Sequence, residues 1–195
     1  TVVAGGQNLS TTITGATSGY LVTGNWTLLR GRTFSPSEDR SGTAVCIIGE
    51  TVRRALFGNS DPTGQQMRAG NVTCDVIGLL QAKGAGTFGQ DQDDILLMPI
   101  STARKRVLGA AMAKSRSVSS IMVKVRDGVD MGAADQRMRE LLRQRHRLQA
   151  GQDDDFFVRN LSEILQAQEA SSRVMSLLLA AVASVSLLVG GIGIM

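Results

Sequence analysis

One His, two Cys, three Pro and seven aromatic residues (five Phe, one Trp, one Tyr) are spread over 195 residues, and each scarcity excludes a class of function. The single histidine, His146, lies among Arg143, Arg145 and Arg147 with no carboxylate apparent beside it in sequence, which argues against a catalytic base. Neither a Ser/His/Asp nor a Cys/His arrangement can be assembled from these residues, so no catalytic residue is assigned. The two cysteines, Cys46 and Cys74, form no CxxC and join no histidine, and a structural zinc site has no ligand set. Asp91, Asp93, Asp94 and Asp153–Asp155 lack the twelve-residue calcium loop with its closing Glu, so no metal site is expected and solvated turns are. No GxxxxGK[ST] segment occurs, hence no P-loop and no cofactor within the chain. Seven aromatics are too few for a base-stacking platform, and a net charge of +4 with a pI near 9.6 is a weak footprint for nucleic acid.

What the chain does have is apolar mass: 43% hydrophobic residues against 19% charged, which excludes disorder. Much of it is concentrated at the end. Val174–Met195 runs 22 residues without a charge, and at ~1.5 Å of rise per residue it reaches roughly 33 Å, enough to cross a hydrocarbon core of about 30 Å. The run, which includes Val174, Leu178, Ala181, Ser186, Gly190, Gly191, Gly193 and Met195, is read as a transmembrane helix in preference to a buried helix of a larger soluble core. Its position and lack of a cleavage context exclude a signal peptide. Its small residues favour packing into a bundle, because close helix approach is what joins helices in lipid.

Ahead of that run the sequence divides by charge and period. Thr1–Leu29 holds no charged residue and its β-branched alternation predicts short strands with glycine turns. Arg30–Arg40, with Pro36 inside, reads as a charged loop. Thr43–Ile48 is continuously apolar, as a strand buried on both faces is, and Gly49 opens a short helix over Glu50–Phe57. Asp61-Pro62-Thr63-Gly64 is a turn. Strands are expected around Gln66–Arg68, Val72–Leu80 and Ile95–Ile100, then a basic helix Thr102–Leu108 capped by Ser101. Ser119–Val125 and Phe156–Val158 have strand character and flank a helix running from the N-cap Asp130 to about Leu148, a β-α-β pattern. Asn160-Leu-Ser-Glu163 has the capping-box pattern of a further helix, a stalk continuous with the apolar run.

Three features invite a functional reading. Gly84-Ala85-Gly86-Thr87-Phe88-Gly89 matches GxGxxG, yet the acidic Asp91–Asp94 stretch and a strand follow it where a dinucleotide site needs a helix N-terminus. A flexible interstrand loop fits better, with Gly84, Gly86, Phe88 and Gly89 as a candidate partner contact. The basic run Arg143–Arg147 is either favourable cation placement at a helix C-terminus or a contact for lipid head groups or an acidic partner. Cys46 and Cys74 are either a disulfide joining neighbouring strands or two ordinary buried thiols.

Ser186-Leu-Leu-Val-Gly-Gly-Ile-Gly-Ile-Met195 resembles the second transmembrane helix of the MacB-type ABC transporter permeases, the FtsX-like permease family. Gly31-Arg32-Thr33-Phe34, Ala44-Val45-Cys46-Ile47-Ile48-Gly49, Leu56-Phe57-Gly58, Asp61-Pro62-Thr63-Gly64-Gln65 and Val76-Ile77-Gly78-Leu79 resemble, in order, segments of that family's periplasmic domain. The resemblance implies an α+β fold, a porter-like α/β lobe with an inserted β-rich lobe. Residues 1–32 end the first half of the porter-like lobe, 33–113 form the inserted lobe, 114–160 the second half, and 161–195 the stalk and transmembrane helix. It further implies a periplasmic location up to about residue 173, in the inner membrane of a bacterium. The implied partners are a second copy (a homodimer), a periplasmic adaptor (membrane fusion) protein, an outer-membrane duct, and an ATPase domain or subunit that binds ATP and Mg²⁺. The implied work is mechanotransmission: ATP-driven movement relayed to the periplasm for efflux of macrolide- or peptide-like substrates, with no enzyme activity in this segment. An FtsX-like or antibiotic-sensing regulatory module and a lipoprotein-releasing permease are the family's other roles. An oxidising periplasm fits a Cys46–Cys74 disulfide.

Overall fold

The protein is described from a computed structural model that covers residues 1–86, 89–107, 117–149, 151–160 and 171–184. The backbone separates into two units, Thr1–Lys124 and Val125–Met195.

The first unit is built on an eight-stranded mixed sheet. β1 (Val2–Ala4) and β2 (Gln7–Leu9) form a hairpin across Gly5 and Gly6, whose φ of 55° and 81° suit a two-residue turn that residues with a Cβ adopt only under strain. β3 (Thr12–Ala16), helix α1 (Tyr20–Thr23), β4 (Leu28–Gly31) and helix α2 (Pro36–Ser41) follow. Then come β5 (Val45–Ile48), α3 (Glu50–Phe57), β6 (Gln66–Ala69), β7 (Val72–Leu80), β8 (Ile95–Pro99) and the helical turn α4 (Ile100–Thr102), which runs into a π-helical turn over Ala103–Val107. The strand order is β2-β1-β6-β7-β5-β8-β3, and β4 adds antiparallel to the far half of β7. β5 runs parallel to β7 and antiparallel to β8, so the two central strands are paired on both edges.

The continuous apolar sequence of β5 has its explanation in two cores, one on each face. Cys46 and Ile48 enter a cluster with Val2, Val52, Leu56, Met67 and Cys74, which α3 covers with Val52 and Leu56. Val45 and Ile47 enter a second cluster with Leu21, Phe34, Leu80 and Leu97, against which Tyr20 and Trp26 pack. β8 divides in the same way, Leu96 and Met98 to one face and Leu97 to the other. Ile47, Ile48, Leu96, Leu97 and Met98 are fully buried. At about 25 cal/mol per Å² of apolar surface removed from water, these two layers are the main stabilising contribution of the unit.

The β5–β7 register skips Ile77 between Cys46 and Ile47. The Ile77 carbonyl accepts from Arg32 N, just past β4, at 2.9 Å. Gly31 sits against it with φ 81°, and a Cβ there would lie 2.1 Å from Ile77 O. A glycine is required at that crossing for both reasons.

Several expectations are corrected. The charged stretch Arg30–Arg40 is not a loop: it contains the end of β4 and helix α2. Ser35 is its N-cap, with Glu38 completing a capping box and Pro36 at the first helical position. Ser101 is not a helix cap; Pro99 holds that position, and the Ser101 hydroxyl donates to the Asp39 carbonyl. Neither Ser119–Val125 nor Phe156–Val158 forms a strand. Their side-chain pattern is strand-like, but a strand exists only through its ladder, and no described backbone pairs with them. Ile121 and Phe157 are 70% and 92% exposed. The β-α-β pattern is therefore present here only as its helix. The bounds of the expected lobes at 32/33, 113/114 and 160/161 remain what the family resemblance implies.

In the second unit, α5 (Met131–His146) starts at Asp130, whose carboxylate accepts from Gly132 N at 3.3 Å and Ala133 N at 3.0 Å, and ends at Arg147 in a left-handed C-cap. Ala134, Met138, Leu142 and the following Leu148 are half-buried, whereas Leu141 is exposed. Residues 171–184 are helical, with Val174, Leu178 and Ala181 exposed. Among the described residues no helix is long and apolar enough to cross a membrane. Ser186, Gly190, Gly191, Gly193 and Met195 lie outside the described residues, as do positions 161–170 of the expected stalk.

Candidate functional site

The segment joining β7 to β8 carries the glycine motif, and its described part is a hydrogen-bonded hairpin. Gly86 N donates to Gln90 O at 2.7 Å, Gly89 N to Gly86 O at 2.9 Å and Gln92 N to Gly84 O at 3.2 Å, with a bridge between Ala85 and Asp91. Gly84 and Gly89 have φ of 76° and 79°, which places both glycines where a Cβ is unfavourable. Thr87 and Phe88 of the motif lie outside the described residues.

The acidic stretch after the motif brackets its base. Asp93 is 6% exposed, and its carboxylate accepts from Lys83 N at 2.7 Å and Gly84 N at 2.9 Å. Asp91 Oδ1 accepts from Asp93 N at 2.9 Å, and Asp91 Oδ2 from the Thr51 hydroxyl at 2.6 Å. The Thr51 hydroxyl, then the Asp93 amide, hold the Asp91 carboxyl below its ordinary range. Lys83 reaches to the Gly24 carbonyl at 2.7 Å with its ammonium 4.0 Å from the Trp26 ring centroid, and burial lowers its pKa. The solvated-turn reading of these aspartates is therefore corrected for Asp93. The backbone amides a phosphate could have used are already occupied by a carboxylate, and β8 follows where a dinucleotide fold has a helix. Sequence reasoning missed this bracket; the short Asp-x-Asp spacing ahead of a strand was its only signal.

Cys46 on β5 and Cys74 on β7 are both buried, with their sulfurs 2.8 Å apart. The basic run Arg143–Arg147 is partly committed within its own unit. Arg143 pairs with Asp154 and donates to the carbonyls of Gln149 at 3.0 Å and Gln152 at 2.8 Å, closing the turn after α5. His146 Nδ1 lies 2.8 Å from Asp155 Oδ1 and its ring meets Phe156 edge-on, so a carboxylate partner does exist, supplied by the returning chain. Among the described residues no group of three or more His, Cys, Asp or Glu is placed to hold a metal ion.

This architecture has known counterparts. The family model described as the MacB-like periplasmic core domain matches residues 1–141. The chain belongs to that family. It is 40% identical over 190 residues to the macrolide export ATP-binding/permease protein MacB of Bdellovibrio bacteriovorus, covering 97% of this chain and 28% of that protein. It is 39% identical over 196 residues to the MacB of Rhodospirillum rubrum, covering 100% and 29%. A pyoverdine export ATP-binding/permease protein, PvdT of Pseudomonas entomophila, is 37% identical over 172 residues, 88% of this chain and 25% of that protein. The chain thus spans between 25% and 29% of the length of these three relatives. The crystal structure of the periplasmic region of MacB from Actinobacillus actinomycetemcomitans superposes with a TM-score of 0.65 at 25% identity, over 86% of this chain and 70% of that one. The mixed α and β architecture expected from the sequence is the one this family has.

Proposed function

We propose that this MacB-like domain is the periplasmic part of an ATP-driven efflux permease and relays conformational change from the membrane to the periplasm. The observation that carries the reading is the family match over residues 1–141, followed in the same chain by the uncharged run from Val174 to Met195. In this reading residues 1 to about 173 stand in the periplasm and the run enters the inner membrane. ATP and Mg²⁺ act in an ATPase domain or subunit outside this chain. Two copies work as a dimer, with a periplasmic adaptor and an outer-membrane duct. The domain's own contribution is mechanical: a sheet buried on both faces moves as one body, because a close-packed core transmits displacement rather than absorbing it. Macrolides are the named cargo of several relatives and pyoverdine of another, and the cargo proposed for this chain is macrolide- or peptide-like.

The test is a clamp. Ser172 is exposed in the helix at 171–184, at the end of the stalk segment. Ser172→Cys in the full-length gene product, cross-linked between copies, abolishes export and reduction restores it. Export that persists in the quantitatively cross-linked dimer refutes the relay.

A further inference from the structure

Cys46 and Cys74 stand apart from everything the transport reading uses. β5 and β7 are parallel neighbours in which Cys46 faces Val76, and Cys74 precedes Val76 by two residues on the same face of β7. The diagonal brings the sulfurs to 2.8 Å, within about 1 Å of the bonded separation of about 2.05 Å. The Cys46 thiol's other partner is the Asp75 carbonyl at 3.6 Å. Around them are apolar side chains, including Val2, Met67 and Val76. We propose that Cys46 and Cys74 are a cross-linking site, joined as a disulfide that ties β5 to β7 across the centre of the sheet.

The step balances as thiol–disulfide exchange. Both S–H bonds break, one S–S bond forms, and the two electrons and two protons pass to a disulfide oxidant, a thiol–disulfide oxidoreductase or a small disulfide such as oxidised glutathione, which leaves as a dithiol or two thiols. Cys46 is 0% and Cys74 1% exposed, so no oxidant reaches them in the closed sheet. Burial also pushes the Cys46 thiol well above its ordinary pKa, which withholds the thiolate that exchange requires. The cross-link therefore forms while β5 and β7 are still closing, and once the sheet is complete it is shielded from reductant for the same reason. Oxidation in the cell rests on the periplasmic placement proposed above, since only such a compartment supplies the oxidant; competence of the pair does not.

Peptide mapping of the full-length gene product separates these points. Tryptic cleavage puts Cys46 in peptide 41–53 and Cys74 in peptide 69–83. Cells are quenched in acid, free thiols are alkylated under denaturing conditions, and the protein is digested without reductant. A second sample is reduced, unfolded, and refolded with a mixture of reduced and oxidised glutathione. The expected result is one linked species in both samples, two hydrogens lighter than its parts and resolved by reductant, and its complete loss in Cys74→Ala. Both peptides alkylated in both samples overturns the proposal. Linkage after refolding but alkylated peptides from cells upholds the pair and contradicts the periplasmic placement instead.

Discussion

Gly49→Ala is the substitution that tests the packing argument most sharply. Gly49 has φ −84° and ψ 170°, ordinary extended backbone that alanine adopts without strain, so dihedral cost does not enter. What forbids a side chain is space: a Cβ at Gly49 would lie 2.1 Å from the Asp93 carbonyl oxygen, where separations below 3.0 Å are essentially never seen. Asp93 cannot retreat alone. Its carboxylate holds the Lys83 and Gly84 amides, its own amide is bonded to Asp91, and two residues on the Ile95 carbonyl accepts from Gly49 N at 2.9 Å. Forcing the strands apart costs about 1–3 kcal/mol of overpacking plus about 1 kcal/mol for a lost hydrogen bond, about 2–4 kcal/mol together. Gly19→Ala is the matched control, because Gly19 has φ −71° and open space around its Cβ position; its change stays within about 0.5 kcal/mol. Urea unfolding followed through Trp26, the single tryptophan of this chain and half-buried against the second core, reads both. Equal midpoints for the two variants refute the close-approach argument.

Three further outcomes follow from the same geometry. Asp93→Ala leaves the Lys83 and Gly84 amides without their acceptor and costs about 1–3 kcal/mol, seen as faster hydrogen exchange at those two amides while the β5 amides stay protected. Asp130→Ala removes the α5 cap and costs about 1 kcal/mol of helix stability, measured as faster exchange in its first turn. Glu50 and Glu38, held by Arg53 and Arg32 respectively, have carboxyls lowered from an ordinary 4.5 to about 2. Lowered folded values mean the stabilisation is complete above pH about 4.5 and is lost as pH falls toward about 2. Arg53→Met flattens that acid limb in a stability-against-pH series; an unchanged slope contradicts the Glu50 assignment.

The elements that were legible in the sequence are those whose signal is carried locally. The helix Glu50–Phe57 and the strand Val72–Leu80 match their predicted bounds, and β5 gives itself away because burial on both faces removes polar alternation. Helix α2 was missed although Ser35-Pro36-Ser37-Glu38 spells a capping box, because a proline and five polar or charged residues show no apolar period. The strand character of 119–125 misled for the opposite reason: composition describes a side-chain face, whereas a ladder depends on a partner elsewhere. At the candidate loop the glycines were visible and the Asp93 bracket was not, since a buried carboxylate and a solvated one have the same letter. The Arg143–Asp154 and His146–Asp155 pairs were hidden similarly, being set by where the chain returns after Gly151.

The central claim is that ATP-driven change at the membrane reaches the sheet as a rigid displacement. Ala55 is exposed on α3, the helix covering the first core, and Cys46 and Cys74 are too buried to compete for label. The direct measurement is the spin–spin distance between Ala55→Cys nitroxides of the two copies in the full-length gene product in lipid, without nucleotide and with trapped ATP. The account predicts two distinct, narrow distance distributions whose centres differ between the states. One distribution, unchanged by nucleotide in a protein that still hydrolyses ATP and exports substrate, contradicts it.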